Sequence, residues 1–292
     1  MDYVTLARGL PPSSRLGFGC ASVMGRVGRG PSLRAIAAAL DAGITHFDVA
    51  RLYGYGEAEA LLGEALLGRR DRVVIASKFG LDPPRSAGAL RALRPIAQRL
   101  AAKVPGARSV LRSLVGGPAQ AADRFSTASA QISLDRSLAA LKTDYLDILL
   151  LHDCAIEDLT DELLAFLERQ VAAGKIRAYG VAAEIDVVLP LYRRHGTRLI
   201  FQVANSFYAR NAERLAGAER QVVAHSPFFG AERLRGRADV HRAMLAYALA
   251  AKEVGVVLCS MLDPAHLKAN LDVVEHPDSA AEQIAAIAVA AE

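Results

Sequence analysis

The sequence predicts an α/β protein, a (β/α)8 TIM barrel, on three observations. Eight short apolar runs recur along the 292 residues, each separated from the next by a segment of helical spacing. The runs lack the period-two alternation of half-exposed strands, as strands covered on both faces do. The turn after the first run, GFGCASVMG, departs from the G-x-G-x-x-G with which an open doubly wound sheet announces a dinucleotide. The chain is long enough to fill such a barrel as a single domain, 1–292.

Taken in order, Tyr3 to Leu6, a turn at Pro11 to Ser14 and the run Leu16 to Cys20 read as a short hairpin or cap followed by the first core strand. Ser32 to Asp41 is an Ala/Leu-rich helix with Ser32 as its N-cap, and Ile44 to Val49 is a strand. A helix over Glu57 to Leu67 precedes the strand Arg72 to Ala76. Farther on, Ser126 to Leu141 is a helix and Tyr145 to Leu151 a buried strand. Thr160 to Ala173 is a helix ending at Gly174, a C-cap, and Ile176 to Val181 is a strand. Ile185 to His195 is a helix and Leu199 to Val203 a strand, and a short helix, Ala209 to Leu215, precedes the strand Gln221 to Ala224. Helix Asp239 to Lys252, strand Gly255 to Cys259 and helix Pro264 to Val274 complete the alternation, with a last Ala-rich helix from about Asp278.

One segment exceeds a minimal barrel. Residues 79–125 are far longer than an ordinary strand-to-helix loop and read as an insert, with helical spacing over Arg91 to Lys103. Between Asp82 and Arg124 stand eight basic residues against two acids, so this stretch carries +6 and leaves −2 for the remainder of a chain whose net charge is +4. Following the third strand, the insert should overhang the barrel mouth, either as a lid whose arginines favour an anionic substrate or as a solvated basic helix. No aromatic residue interleaves those arginines to stack bases, so nucleic acid is not expected as a partner.

Three widely spaced cysteines, Cys20, Cys154 and Cys259, provide neither a disulfide framework nor a zinc ribbon, which fits a reducing compartment. No signal peptide is read at the start and no apolar run reaches transmembrane length, so a cytoplasmic location without a membrane partner is expected.

Chemistry concentrates at the strand ends. In FDVARLYGYG, Asp48 closes the second barrel strand and Tyr53 sits in the Gly-rich turn after it; Lys78 closes the third, and His152 ends the fourth. In a parallel barrel these ends open onto one face. A nearby ammonium stabilises a phenolate, so Lys78 should lower the Tyr53 pKa while Asp48 keeps the amine charged. A phenol so tuned suits protonation of a carbonyl oxygen as something else delivers a hydride.

These residues resemble the aldo-keto reductase superfamily. The segments FDVARLYGYGEAE, ASKFG, SLAALKTDYLDILLLHD, AYGV, FQV and HSP follow in that family's order and intervals, from about Gly17 to Asn270. The resemblance implies a barrel that reduces an aldehyde or ketone, a small-molecule carbonyl substrate, with a nicotinamide cofactor, usually NADPH. By that match Tyr53 is the general acid, Lys78 tunes it, Asp48 pairs with Lys78, and His152 orients and polarises the carbonyl.

The cofactor half of the pattern is altered. Where the family commonly places a Ser-Asn pair on the nicotinamide amide, this chain has Ala182-Ala183, whose methyl groups cannot make those bonds; Gln202 matches the remaining amide partner. The stacking aromatic of a Tyr-Ser-Pro segment becomes His225, before Ser226 and Pro227. After the eighth strand, basic residues that clamp the 2′-phosphate of NADPH give way to Ser260, Asp263 and His266, with Asn270 retained. The resemblance therefore admits NADH, or weak NADPH binding aided by Arg233, Arg235 or Arg237.

These departures leave room for a barrel that has weakened or lost its cofactor and serves as a regulatory or binding subunit, although such a barrel has no need of all four catalytic-type residues. A Schiff-base role for Lys78 requires a neutral amine, which Asp48 opposes. A metal-dependent hydrolase lacks a ligand set around His152.

Overall fold

The computed structural model describes residues 1–84, 123–234 and 239–276. Its core is a closed barrel of eight parallel strands. Ahead of it, β1 (Tyr3–Val4) pairs antiparallel with β2 (Ser13–Ser14), the expected hairpin. The barrel strands are β3 (Leu16–Gly19), β4 (His46–Asp48), β5 (Val74–Phe79), β6 (Leu146–His152), β7 (Ile176–Ala182), β8 (Ile200–Ala204), β9 (Val222–His225) and β10 (Val254–Cys259). They follow chain order around the barrel, and β10 pairs with β3 to close it.

The helices described are α1 (Arg29–Asp41), α2 (Ala58–Ala65), α3 (Thr127–Leu141), α4 (Asp161–Ala172), α5 (Ile185–His195), α6 (Val240–Ala250) and α7 (Pro264–Glu275). Side-chain caps set three of the starts, Asp263 serving α7. The Ser126 hydroxyl accepts from the Ser129 N–H at 3.2 Å, and the Thr160 hydroxyl from the Leu163 N–H at 3.1 Å. Gly174, at φ 71, follows α4 in the left-handed region, as expected of its role after the last turn.

Three expectations need correction. Helix α1 begins at Arg29, so Ser32 is a buried interior residue and not the N-cap. Pro31 sits in the first turn, where its missing N–H would have had no partner, and so does not delay the start. The helix expected over Ala209 to Leu215 is a single 3-10 turn, Ala212–Arg214. Asn205 Oδ1 accepts from the Ala212 N–H at 2.9 Å, and such a local side-chain bond competes with a continuous helix. The third strand runs to Phe79 and not Ala76, which places Ser77 and Lys78 inside it. The helix expected over Arg91 to Lys103, most of the insert and the helix from Asp278 lie outside the described residues.

The period of two along each strand divides the core. Val74, Ala76, Ile148, Leu150, Ile200, Val223, Val256 and Leu258 turn into the barrel, where Leu6 and Leu10 of the hairpin join them. Ile75, Phe79, Leu149, Leu151, Phe201 and Val203 turn outward under the helices. Toward the C-terminal ends, the inward positions change character. Lys78 continues Val74 and Ala76, His152 continues Ile148 and Leu150, and Gln202 continues Ile200. The layers at the bottom are therefore mostly hydrocarbon, with His46 of β4 buried among them against Ser13 of the hairpin at 3.1 Å, and the layer at the top is polar.

Candidate active site

The polar layer lines a cavity of about 440 Å³. Asp48, Tyr53, Lys78, His152, Gln202, His225, Ser226 and Ser260 all contribute to its wall. Of the other positions singled out in the sequence, His266 is exposed on α7 and Asn270 is buried one turn farther along the same helix; neither lines the cavity.

Asp48 and Lys78 are nearly inaccessible, and the Lys78 ammonium donates to Asp48 Oδ1 at 2.6 Å and to the Val49 carbonyl at 3.2 Å. The Tyr53 hydroxyl lies 3.5 Å from Lys78 Nζ, and the ammonium stands 5.1 Å from the centre of the Tyr53 ring. Local backbone geometry delivers this phenol. Gly54 (φ 59) and Tyr55 (φ 58) turn left-handed immediately after it. A Cβ on Gly54 would come within 2.7 Å of Met24 Cβ and of the Val23 carbonyl oxygen, so only glycine lets the Tyr53 turn lie against the segment following β3. The His152 ring meets the Tyr53 ring edge-on, with centroids 6.0 Å apart.

Burial governs the electrostatics. It alone would lower the Lys78 pKa, but Asp48 and Tyr53, through charge and hydrogen bonding, more than offset this and leave it raised, so the amine stays an ammonium. For Tyr53, burial pushes the phenol up and outweighs the downward pull of Lys78, so the net shift is upward. This corrects the expectation of a lowered Tyr53 pKa. The phenol remains protonated at neutral pH, and the ammonium stabilises the phenolate left once the proton has gone. Burial, with Lys78, His225 and Arg124, brings His152 down to about 3, so its imidazole is neutral and presents one N–H. His225 is also lowered, first by burial; its Nδ1 lies 3.0 Å from Ser226 Oγ.

Three buried polar atoms in this wall have no hydrogen-bond partner among the described residues: Asp48 Oδ2, His152 Nδ1 and Gln202 Oε1. An orphaned buried acceptor demands a ligand or a water. Gln202 Oε1 fits the N–H of a carboxamide, the group that a nicotinamide presents. Ala182 and Ala183 line the same wall with methyl groups alone, so the fit extends to one amide partner of the expected set.

Sequence reasoning missed Asp153, Glu184 and Phe228, which also line the cavity. Asp153 follows His152 directly and could have been found by extending the strand-end rule by one residue. Glu184 precedes α5 and Phe228 lies in the loop after β9, with no comparable signal. Among the described residues, no group of three or more His, Cys, Asp or Glu side chains could hold a metal ion, and no helix is long and apolar enough to cross a membrane. The three cysteines are buried and free, and burial pushes the Cys154 and Cys259 thiols up to about 12.

A family model described as the aldo/keto reductase family matches residues 15–216. The aldo-keto reductase YhdN of Bacillus subtilis is 29% identical over 188 residues, which cover 62% of this chain and 47% of that protein. A 6-dehydroglucose reductase of Novosphingobium aromaticivorans is 32% identical over 166 residues, covering 53% and 43%. The chain thus spans about half the length of these curated relatives. Among solved structures, an aldo-keto reductase from Bacillus halodurans in its holo form superposes with a TM-score of 0.69 at 24% identity, covering 94% of this chain and 91% of that one. One from Klebsiella pneumoniae in complex with NADPH gives 0.60 at 22% identity, covering 90% and 86%. At these identities the likeness is one of fold.

Proposed function

Because the chain belongs to the aldo/keto reductase family, we propose that it reduces an aldehyde or ketone to an alcohol with a nicotinamide cofactor, and that Tyr53 is the general acid. The observation that carries this reading is the buried Lys78 ammonium, held by Asp48 at 2.6 Å and standing 3.5 Å from the Tyr53 hydroxyl.

When bound, the nicotinamide supplies the hydride. Tyr53 gives its proton to the carbonyl oxygen as negative charge develops there, and the resulting phenolate is stabilised by Lys78. His152 is neutral, so it serves as a hydrogen-bond donor that orients the carbonyl and not as the proton source. Gln202 would hold the carboxamide, and His225 and Ser226 line the same cavity and would be available to the rest of the group. In the reverse direction the phenolate takes the alcohol proton. A Schiff base on Lys78 would need a neutral amine, which its raised pKa opposes.

The absence of a lysine or arginine at positions 260, 263 and 266 favours use of NADH as well as NADPH. Asp263 is engaged as the cap of α7, accepting from the Ala265 N–H at 2.9 Å, and offers a phosphate no charge complement. We place the chain among enzymes of small carbonyl substrates; a cytoplasmic location and a single barrel domain over 1–292 belong to the same proposal.

The test is a separate titration of the tryptophan-free chain with NADH and with NADPH, read by reduced-nicotinamide fluorescence, followed by a panel of aldehydes and ketones. Saturable binding and carbonyl-dependent oxidation of the cofactor are expected. Failure of both cofactors to bind in the millimolar range would instead favour the cofactor-free regulatory barrel.

A further inference from the structure

Behind the cavity, on the helix side of the sheet, a second polar group is enclosed among apolar neighbours. Ser77 precedes Lys78 in β5, so the alternation that turns Lys78 into the barrel turns Ser77 outward toward α2. There its hydroxyl donates to Glu59 Oε1 at 2.7 Å. The other carboxylate oxygen, Oε2, lies 3.4 Å from Arg51 Nη1, and Arg51 Nε lies 3.3 Å from Asp82 Oδ1. Glu59 is 2% exposed and Ser77 is fully buried. A carboxylate taken so far out of water is retained only with partners for its charge.

The placement of those partners is informative. One is the residue immediately before the ammonium-bearing Lys78. The other lies two residues before Tyr53. The Glu59 carboxylate therefore bridges the strand that supplies the amine and the turn that supplies the phenol. That turn, with two left-handed residues next to Tyr53, is not part of the barrel sheet; Gly54 packs it against the segment after β3, and the Glu59–Arg51 pair ties it to β5.

We propose that Glu59, acting through Arg51 and Ser77, is a positioning residue that holds the Tyr53 hydroxyl within reach of Lys78. The proposal rests on the reading of Tyr53 as the general acid. A carboxylate that merely packed the barrel would affect folding but leave the acid's own titration alone. One that sets the distance between phenol and ammonium would change turnover and its pH dependence.

The test compares full-length Glu59→Gln and Ser77→Ala with the parent in melting temperature, NADH affinity, kcat and KM for a reducible aldehyde, and the pH dependence of alcohol oxidation. Glu59→Gln keeps the volume and an acceptor for Ser77 but removes the buried charge that pairs with Arg51, which retains only Asp82 as a charged partner; Ser77→Ala keeps the pair with Arg51 but cuts the link to β5. Misplacement by about 1 Å can cost about a hundredfold, so a fall in kcat of about tenfold or more is expected for Glu59→Gln, with KM and NADH affinity within about twofold. The rise of oxidation rate with pH should move to higher pH, because a phenolate farther from its ammonium is less stable. Ser77→Ala should move both quantities in the same directions by less. A folded Glu59→Gln with kcat within about twofold of the parent and an unmoved pH profile overturns the proposal; if that variant does not fold, the same result in Ser77→Ala overturns it. Tyr53→Phe, measured alongside, keeps the two failures apart. If it remains active the acid assignment is lost, whereas an inactive Tyr53→Phe beside a normal Glu59→Gln removes only the positioning role.

Discussion

Replacing Lys78 by methionine removes the positive charge while keeping an unbranched chain in the barrel. At 3.5 Å, an ammonium and a phenolate attract by about 5 kcal/mol at an effective dielectric constant of about 20. Asp48, of opposite sign and 2.6 Å from the same ammonium, cancels part of that at the phenol, and taking half leaves about 2–3 kcal/mol. At about 1.4 kcal/mol per tenfold, kcat for carbonyl reduction should fall by about a hundredfold. The substitution also strands a buried carboxylate, at a cost to stability of about 3–5 kcal/mol. The double variant Asp48→Asn/Lys78→Met removes both charges and should recover most of that stability without recovering turnover. Steady-state kinetics, urea midpoints and cofactor affinity, measured on the parent, the single and the double variant, separate the two effects. A folded double variant that binds cofactor and turns over within about tenfold of the parent would refute the assignment of Lys78 as the group that stabilises the phenolate.

Other outcomes follow from the same geometry. His46 is fully buried and brought down to about 4 by burial, while its unfolded value is the ordinary 6.5. The unfolded chain therefore binds the extra proton first. The stability tied to this group is complete above pH 6.5 and is lost as pH falls toward 4, by about 3 kcal/mol at pH 4. His46→Gln should flatten that decline in urea midpoints between neutral pH and pH 4, and an equally steep decline in the variant would count against it. Because His152 is neutral above about 3, no ionisation of this residue should shape carbonyl reduction near neutrality; a kinetic pKa near 6.5 that vanishes in His152→Gln would contradict this. Ala183→Asn restores one amide partner and should tighten NADH or NADPH binding by about fivefold, the equivalent of about 1 kcal/mol, in a fluorescence titration. Unchanged affinity would mean that Ala183 does not face the carboxamide.

The barrel was legible because its strands are local signals. Tyr145 to Leu151 is apolar at every position but Asp147, and such a run between helical segments has few readings other than a covered strand. Asp147 itself is fully buried between Arg70 and Arg177, at 2.8 and 3.0 Å, a pairing that joins residues far apart in the chain and leaves no local mark. Strand ends were likewise legible for Asp48 and His152. The balance of burial against charge at Tyr53 was not, since it depends on how much water the fold excludes. Glu59 lay hidden in the first turn of α2, where an acid reads as a favourable match to the helix dipole. Its signal was the company it keeps three and four residues on, Leu62 and Gly63, which place it on the buried face.

The claim on which the mechanism depends is that the Tyr53 hydroxyl supplies the proton. Tyr53→Phe deletes that single oxygen and leaves the ring against His152. It should bind NADH or NADPH as the parent does and show no measurable carbonyl reduction; a folded variant that retains more than about a tenth of the parental kcat, a loss smaller than about 1.4 kcal/mol, would show that the proton comes from elsewhere.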